Sequence, residues 1–129
     1  IICPIMDARR NQVYAAFYMW ENGKMLRLTD HMAESIDRII EIAEILEQEV
    51  IFLGDGVPVH REKLEQNEKF LFAPSHCNMQ RASAVAALGL TLAEAGMAKD
   101  GNEFELIYLR KSQAEREREE RLAKEEESK

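Results

Sequence analysis

Two short strings hold the residues best suited to chemistry: Asp7-Ala8-Arg9-Arg10-Asn11 and Gly54-Asp55-Gly56. Adjacent guanidiniums offer forked, charge-assisted hydrogen bonds to a phosphate or a carboxylate. The competing reading is that Arg9 and Arg10 pair inside the chain, with Asp7 or Asp55. Glycines beside Asp55 leave N–H groups open at a strand-to-helix junction, where an anion can sit. Tight turns also use glycine for backbone reasons alone. His31, His60 and His76 form no HExxH or HxxxH spacing, so no zinc-protease motif is present. Ser75 beside His76 is adjacency in sequence, whereas a triad is an arrangement in space with a third orienting group. His76 with Cys77 supplies too few ligands for a closed metal site. No catalytic residue, cofactor or metal is expected. The candidates for a cleft or partner contact are Asp7, Arg9, Arg10, Gly54, Asp55 and Gly56.

The elements that must position these strings follow from the apolar periodicity. Residues 1–6 are an apolar run and 12–20 a second one, rich in aromatic and β-branched residues, which predicts a hairpin with the arginines in its loop. In the second run Val13, Ala15, Phe17 and Met19 share one face, and Tyr14, Ala16, Tyr18 and Trp20 the other. Both faces are apolar, so this strand is expected inside a covered sheet, with its aromatics in the core. Pro4 cannot donate to a ladder, so a bulge or a strand end is expected there. Asn22-Gly23 marks a turn into a third, edge strand at 25–29, with Leu26 and Leu28 inward. Ile36, Ile39, Ile40, Ala43 and Leu46 recur at helical spacing behind Ser35, a capping residue. The run at 50–53 reads as a strand buried on both faces, followed by a helical stretch at about 59–67 and a fifth strand at 70–72. From about Met79 to Ala95 the chain is rich in Ala and Leu, with Gly96 as a stop. That helix is expected to be buried on several sides, a packing centre for one face. A last apolar piece spans 106–109, and residues 111–129 read as a charged, solvated helix that frays.

Composition bounds the function. A chain of 129 residues with 46% apolar content suffices for one core. The net charge of −7 lies within residues 1–109, where ten Lys or Arg face seventeen Asp or Glu; the remainder is balanced. An acidic surface repels nucleic-acid phosphates, so strong direct binding to RNA or DNA is not expected. Two unpaired cysteines without framework spacing fit a reducing compartment, the cytoplasm. No segment is apolar for long enough to span a membrane. The chain opens at Ile1 without the features of a signal peptide, and is expected to continue a longer polypeptide.

Three meandering antiparallel strands followed by helix, strand, helix, strand and helix resemble the ribonuclease-H-like lobe of the actin-like ATPases. That resemblance implies an α/β fold: a five-stranded mixed sheet of order 3-2-1-4-5 flanked by helices. The stretches from Pro4 to Ala16, Phe52 to Gly56 and Tyr108 to Glu115 are, in order and spacing, similar to the C-terminal half of the bacterial TsaB/YeaZ family, over residues 1 to about 117. By this resemblance residues 1–110 are the C-terminal lobe, 111–129 a charged tail, and the family's N-terminal lobe is absent. It implies a non-catalytic scaffold in the bacterial complex that makes threonylcarbamoyladenosine in tRNA, partnering TsaD, which carries the chemistry, and TsaE, through the full-length protein and mainly through the absent N-terminal lobe. Actin-like ATPases place an Asp-x-Gly-x-Gly loop at the first hairpin, where backbone N–H groups approach a phosphate. Here Arg9 and Asn11 replace the glycines, which implies a degenerate nucleotide site. The alternative is a nucleotide-binding ATPase or sugar-kinase-like enzyme of the same superfamily. A third expectation is self-association into a homodimer.

Overall fold

The computed structural model describes residues 1–109, with Glu115, Arg118 and Arg121 in helical conformation; the rest of the expected tail helix lies outside the described residues. Strand β1 (Ile2–Asp7) runs beside β2 (Gln12–Ala15) and β3 (Tyr18–Glu21) in antiparallel fashion. Strand β4 (Lys24–Arg27) pairs with β3, and β5 (Met32–Ser35) with β2, again antiparallel. On the other side, β6 (Val50–Leu53) joins β1 in parallel and β7 (Phe70–Phe72) joins β6. The helices are α1 (Ile36–Ile45), α2 (Gly56–Leu64), the short α3 (Ser75–Asn78) and α4 (Ala82–Glu94).

Among the described residues seven strands stand where five were expected. The expected second strand is interrupted at Ala16-Phe17, and the cause is Pro4. Ile5 lies opposite Ala15 and Ile2 opposite Tyr18, so one register runs through both halves and no residue is inserted. The ladder lapses opposite the position that has no N–H to donate. The expected bulge or strand end at Pro4 is therefore displaced onto the partner strand. The additional strand, β5, carries no β-branched residue. It exists because β2 offers it a free edge, and Ser35 ends it while capping α1, its Oγ accepting from the Arg38 N–H at 3.2 Å.

One face of the sheet is covered. Cys3, Ile5, Val13, Ala15, Phe17, Val50 and Phe52 pack against Ile36, Ile39 and Ala43 of α1 and Val57 and Leu64 of α2. Phe52 meets Phe70 edge-on, ring centres 5.1 Å apart, a favoured aromatic geometry. Arg61 lies over the Phe72 ring at 4.4 Å. The opposite face is open, and this corrects three expectations. Trp20 is 63% exposed, while Tyr14 and Tyr18 are half-buried. Strand β4 is exposed throughout, Leu26 included, and so is Leu28 just after it, because the β3–β4 hairpin extends past the helices. In β6, Val50 and Phe52 are buried but Ile51 is exposed. Helix α4 begins and ends near the expected residues, Gly96 closing it at φ +73°. It has no buried residue, so it is not the packing centre that its composition announced.

Candidate functional site at the hairpin and the strand-to-helix turn

The fold brings the two strings together. The Asp7 N–H at the end of β1 donates to Asp55 Oδ1 at 3.1 Å, and the Arg9 N–H donates to Asp7 Oδ1 at 2.9 Å. Asp55 stands at the N-cap of α2 without capping it; its carboxylate is committed to the hairpin instead. Asp55 is thus a strut between β1 and the turn after β6. Gly56 is buried and Gly54 half-buried beside it.

Gly54 has φ +108°, and a Cβ there would fall 2.2 Å from the Ile5 carbonyl oxygen. The backbone of β1 passes where a side chain would be, so glycine is required on two counts, conformation and space. Its N–H donates to the Asn78 carbonyl at 2.7 Å, and the Asn78 side chain donates back to the Gly54 carbonyl at 3.2 Å. Asn78 carried no signal in the sequence, because its part in the site depends on α3 folding back over the turn. These contacts favour the backbone reading of the Gly54-Asp55-Gly56 string.

The hairpin tip is unusual. Arg9, Arg10 and Asn11 all have positive φ, at 64°, 54° and 61°, a left-handed run that costs roughly 1–2 kcal/mol per L-residue. The loop holds it by closing on itself: the Ala8 N–H donates to the Gln12 carbonyl and the Gln12 N–H to the Arg9 carbonyl. Asn11 reaches Asp37 Oδ2 at 3.1 Å, and the Asn11 carbonyl accepts from the Ile36 N–H. Arg9 and Arg10 are exposed, and among the described residues neither guanidinium makes an ion pair. Of the expected pairing, the structure shows the Arg9 backbone N–H on Asp7, while Asp55 takes the Asp7 N–H, and both arginine side chains face solvent.

A second group of polar residues flanks the hairpin. Lys63 Nζ lies 2.6 Å from Asp37 Oδ1. That hydrogen bond holds the Asp37 carboxyl below its ordinary range, with Asn11 adding to the effect against desolvation. His60 is buried, 6% exposed, and its Nε2 has no partner among the described residues. Burial holds its imidazole below the usual value, so the ring is neutral at pH 7. Of the remaining candidates, His31 bridges Tyr18 Oη and Arg27 at the surface. Cys3 is buried, which pushes its thiol far above the ordinary range and leaves it inert. Among the described residues no three His, Cys, Asp or Glu side chains converge as a metal site would require.

On the open face of the sheet, an apolar cleft of about 410 Å³ lies beside the turn, between Met6, Tyr14 and Leu53 on the strands and Met79, Arg81 and Ala84 at the start of α4. Its wall includes Gly54 and Asp55. Among the described residues the Arg81 side chain approaches Cys77 Sγ, at 4.0 Å. No described helix is long and apolar enough to cross a membrane.

No protein-family model matches the chain. Over 91 residues it is 29% identical to the tRNA threonylcarbamoyladenosine biosynthesis protein TsaB of Bacillus subtilis (strain 168), an alignment covering 69% of this chain and 40% of that protein. A solved Pseudomonas aeruginosa protein described as similar to the peptidase YeaZ superposes with a TM-score of 0.64 at 18% identity, over 84% of this chain and 49% of its own. YeaZ from Pseudomonas aeruginosa superposes with a TM-score of 0.60 at 17% identity, over 83% and 49%. The chain thus spans half or less of the length of these relatives. At such identities the solved structures show the fold alone, and the TsaB alignment adds the sequence. Together these similarities support a TsaB/YeaZ-like C-terminal domain.

Proposed function

We propose that this chain is the ribonuclease-H-like C-terminal lobe of a TsaB-type subunit, acting without catalysis of its own in the cytoplasmic formation of threonylcarbamoyladenosine in tRNA. Its partners in this reading are TsaD and TsaE. With β2 and β3 counted as one interrupted strand, the pairings β4–β3, β3–β1, β1–β6 and β6–β7 support a sheet of order 3-2-1-4-5. The similarity to Bacillus subtilis TsaB supports the tRNA-modification role.

The observation that carries the non-catalytic reading is the state of the hairpin. A phosphate-binding loop needs backbone N–H groups turned outward and glycines that let the phosphate approach. Here the N–H groups of Asp7, Ala8, Arg9 and Gln12 are all taken up inside the chain, and the tip carries Arg9, Arg10 and Asn11. What the loop presents is two guanidiniums without an ion pair among the described residues, suited to carboxylates on a partner. Domains 1–110 and 111–129 keep the roles of lobe and charged tail in this reading.

The test is capture of TsaD by a tagged full-length protein that carries this lobe, with Arg9→Glu and Arg10→Glu together as the perturbation. Capture of wild type, and its loss in the doubly substituted protein, is the expected result; equal capture by both refutes the role given to the arginines. The apolar cleft beside Gly54 and Asp55 favours a second reading, a nucleotide-binding enzyme of the actin-like superfamily. Calorimetry with magnesium ATP separates the two: micromolar binding with turnover establishes the second and removes the first.

A further inference from the structure

Buried His60, whose Nε2 has no partner among the described residues, lies between the two places where α2 is tied to the arginine hairpin. At the start of the helix, Asp55 accepts from the Asp7 N–H. Further along it, Lys63 bonds one oxygen of Asp37, and the other oxygen holds the Asn11 side chain. Residues three apart on a helix are neighbours, so His60 stands beside the contact of Lys63 with Asp37. The two carboxylates around the ring also shape the hairpin tip. Asp7 Oδ1 accepts from the Arg9 N–H at 2.9 Å, and Asp37 Oδ2 from Asn11 Nδ2 at 3.1 Å. Arg9, Arg10 and Asn11 all hold positive φ, a conformation that L-residues keep only where the surrounding contacts enforce it.

We propose that His60 is a proton-operated latch on the hairpin that carries Arg9 and Arg10. A neutral imidazole makes no demand on either carboxylate, so Asp7 and Asp37 hold the tip in its left-handed form. An imidazolium in a buried place must be compensated by nearby negative charge. The charged groups that act on His60 are Asp7 from β1, Asp37 from α1 and Lys63 from α2 itself; the carboxylates favour the cation and Lys63 opposes it. Strand β6, also packed against α2, is Val-Ile-Phe-Leu and brings no titratable side chain. When the ring takes up a proton from solvent, the cation draws Asp7 and Asp37 toward α2. The Arg9 N–H and the Asn11 amide then lose their acceptors, and the tip relaxes. The backbone bonds from Ala8 to Gln12 and from Gln12 to Arg9 remain, so the change is confined to the tip. Where the arginines meet a partner, which rests on the functional reading above, the latch regulates that same site: the guanidiniums keep one arrangement at neutral pH and lose it in acid.

The movement of the hairpin is measured without a partner, so its failure is distinct from a failure of the functional reading. Two-dimensional NMR of the full-length protein that carries this lobe, titrated from about pH 8 to about pH 5, follows the His60 ring, the Arg9 N–H and the Asn11 side-chain amide. The three are expected to shift with one midpoint, below the usual histidine value of about 6.5, while the N–H resonances of Val50 and Phe52 in the core stay in place. His60→Leu is expected to abolish the shift of the hairpin. Asp37→Asn, at an exposed position, removes a charge that favours the imidazolium and is expected to lower the His60 midpoint. Hairpin resonances that stay still while His60 titrates overturn the proposal, as does a ring that remains neutral down to pH 5. Shifts that persist in His60→Leu, that occur only together with Val50 and Phe52 as in global unfolding, or a His60 midpoint unmoved by Asp37→Asn equally overturn it.

Discussion

Replacing Gly54 by alanine tests the strut between the hairpin and the turn. Two costs combine. At φ +108° a side chain is strained by roughly 1–3 kcal/mol, and a Cβ placed 2.2 Å from the Ile5 carbonyl oxygen must push β1 aside, at about 1–3 kcal/mol for overpacking. The displacement also loosens the reciprocal hydrogen bonds between Gly54 and Asn78, each about 0.5–1.5 kcal/mol net. The expected loss is about 3–5 kcal/mol, a large share of the roughly 5–15 kcal/mol that holds a domain together. With a urea dependence of about 2 kcal/mol per M, the unfolding midpoint should fall by about 2 M. Gly23→Ala is the internal control: its φ is +76° but nothing lies within 4 Å of the added Cβ, so only backbone strain of about 1–2 kcal/mol applies. Equilibrium urea unfolding of both variants checks the reasoning. If Gly54→Ala costs no more than Gly23→Ala, β1 does not pass against the turn as described.

Asp55 accepts from the Asp7 N–H; Asp55→Ala should cost about 1.5–3 kcal/mol, the range for a hydrogen bond to a charged group, and Asp55→Asn, which keeps an acceptor oxygen, clearly less. Equal losses in thermal or urea unfolding would show that the carboxylate charge, not the acceptor, is what the site uses. His60 is neutral in the folded chain because burial lowers its pKa, with Lys63 acting in the same direction and Asp7 and Asp37 opposing. The unfolded chain therefore takes up the proton first. His60 leaves stability whole above the unfolded value of about 6.5, and stability declines as pH falls from there through the folded pKa. The urea midpoint should drop between about pH 7.5 and about pH 5, and His60→Leu should shrink that drop; an identical drop in both proteins refutes the assignment. Arg9→Glu with Arg10→Glu should leave stability within about 0.5 kcal/mol, as for exposed sites without special contacts, so that a lost interaction is attributable to the surface and not to unfolding. A larger loss would mean that the guanidiniums hold the left-handed loop.

Local signals were legible wherever a residue type has one dominant physical reason for its place. Ser35 announced the start of α1 by its hydroxyl, Gly96 the end of α4 by its freedom at positive φ, and the Val50–Leu53 run a strand. Pro4 signalled a ladder defect correctly but not its location, since a missing N–H is felt by the strand opposite. Asp7, Arg9 and Asp55 were legible as a group of candidates. Their mutual arrangement was not, because a 48-residue separation between Asp7 and Asp55 is closed only when β6 docks on β1.

Composition also states what a segment requires without saying what supplies it. The apolar surfaces of Trp20, β4 and α4 promised burial, yet these elements lie beyond the reach of α1 and α2 and remain exposed. What the sequence by itself determined is which residues favour helix, strand or turn, because those preferences are set within a few neighbours along the chain. Only the tertiary structure decided that Gly54 is held by the passing backbone of β1, that Asp55 braces the hairpin, and which apolar faces find cover. Each of those outcomes depends on groups far apart in sequence arriving within a few ångströms of one another.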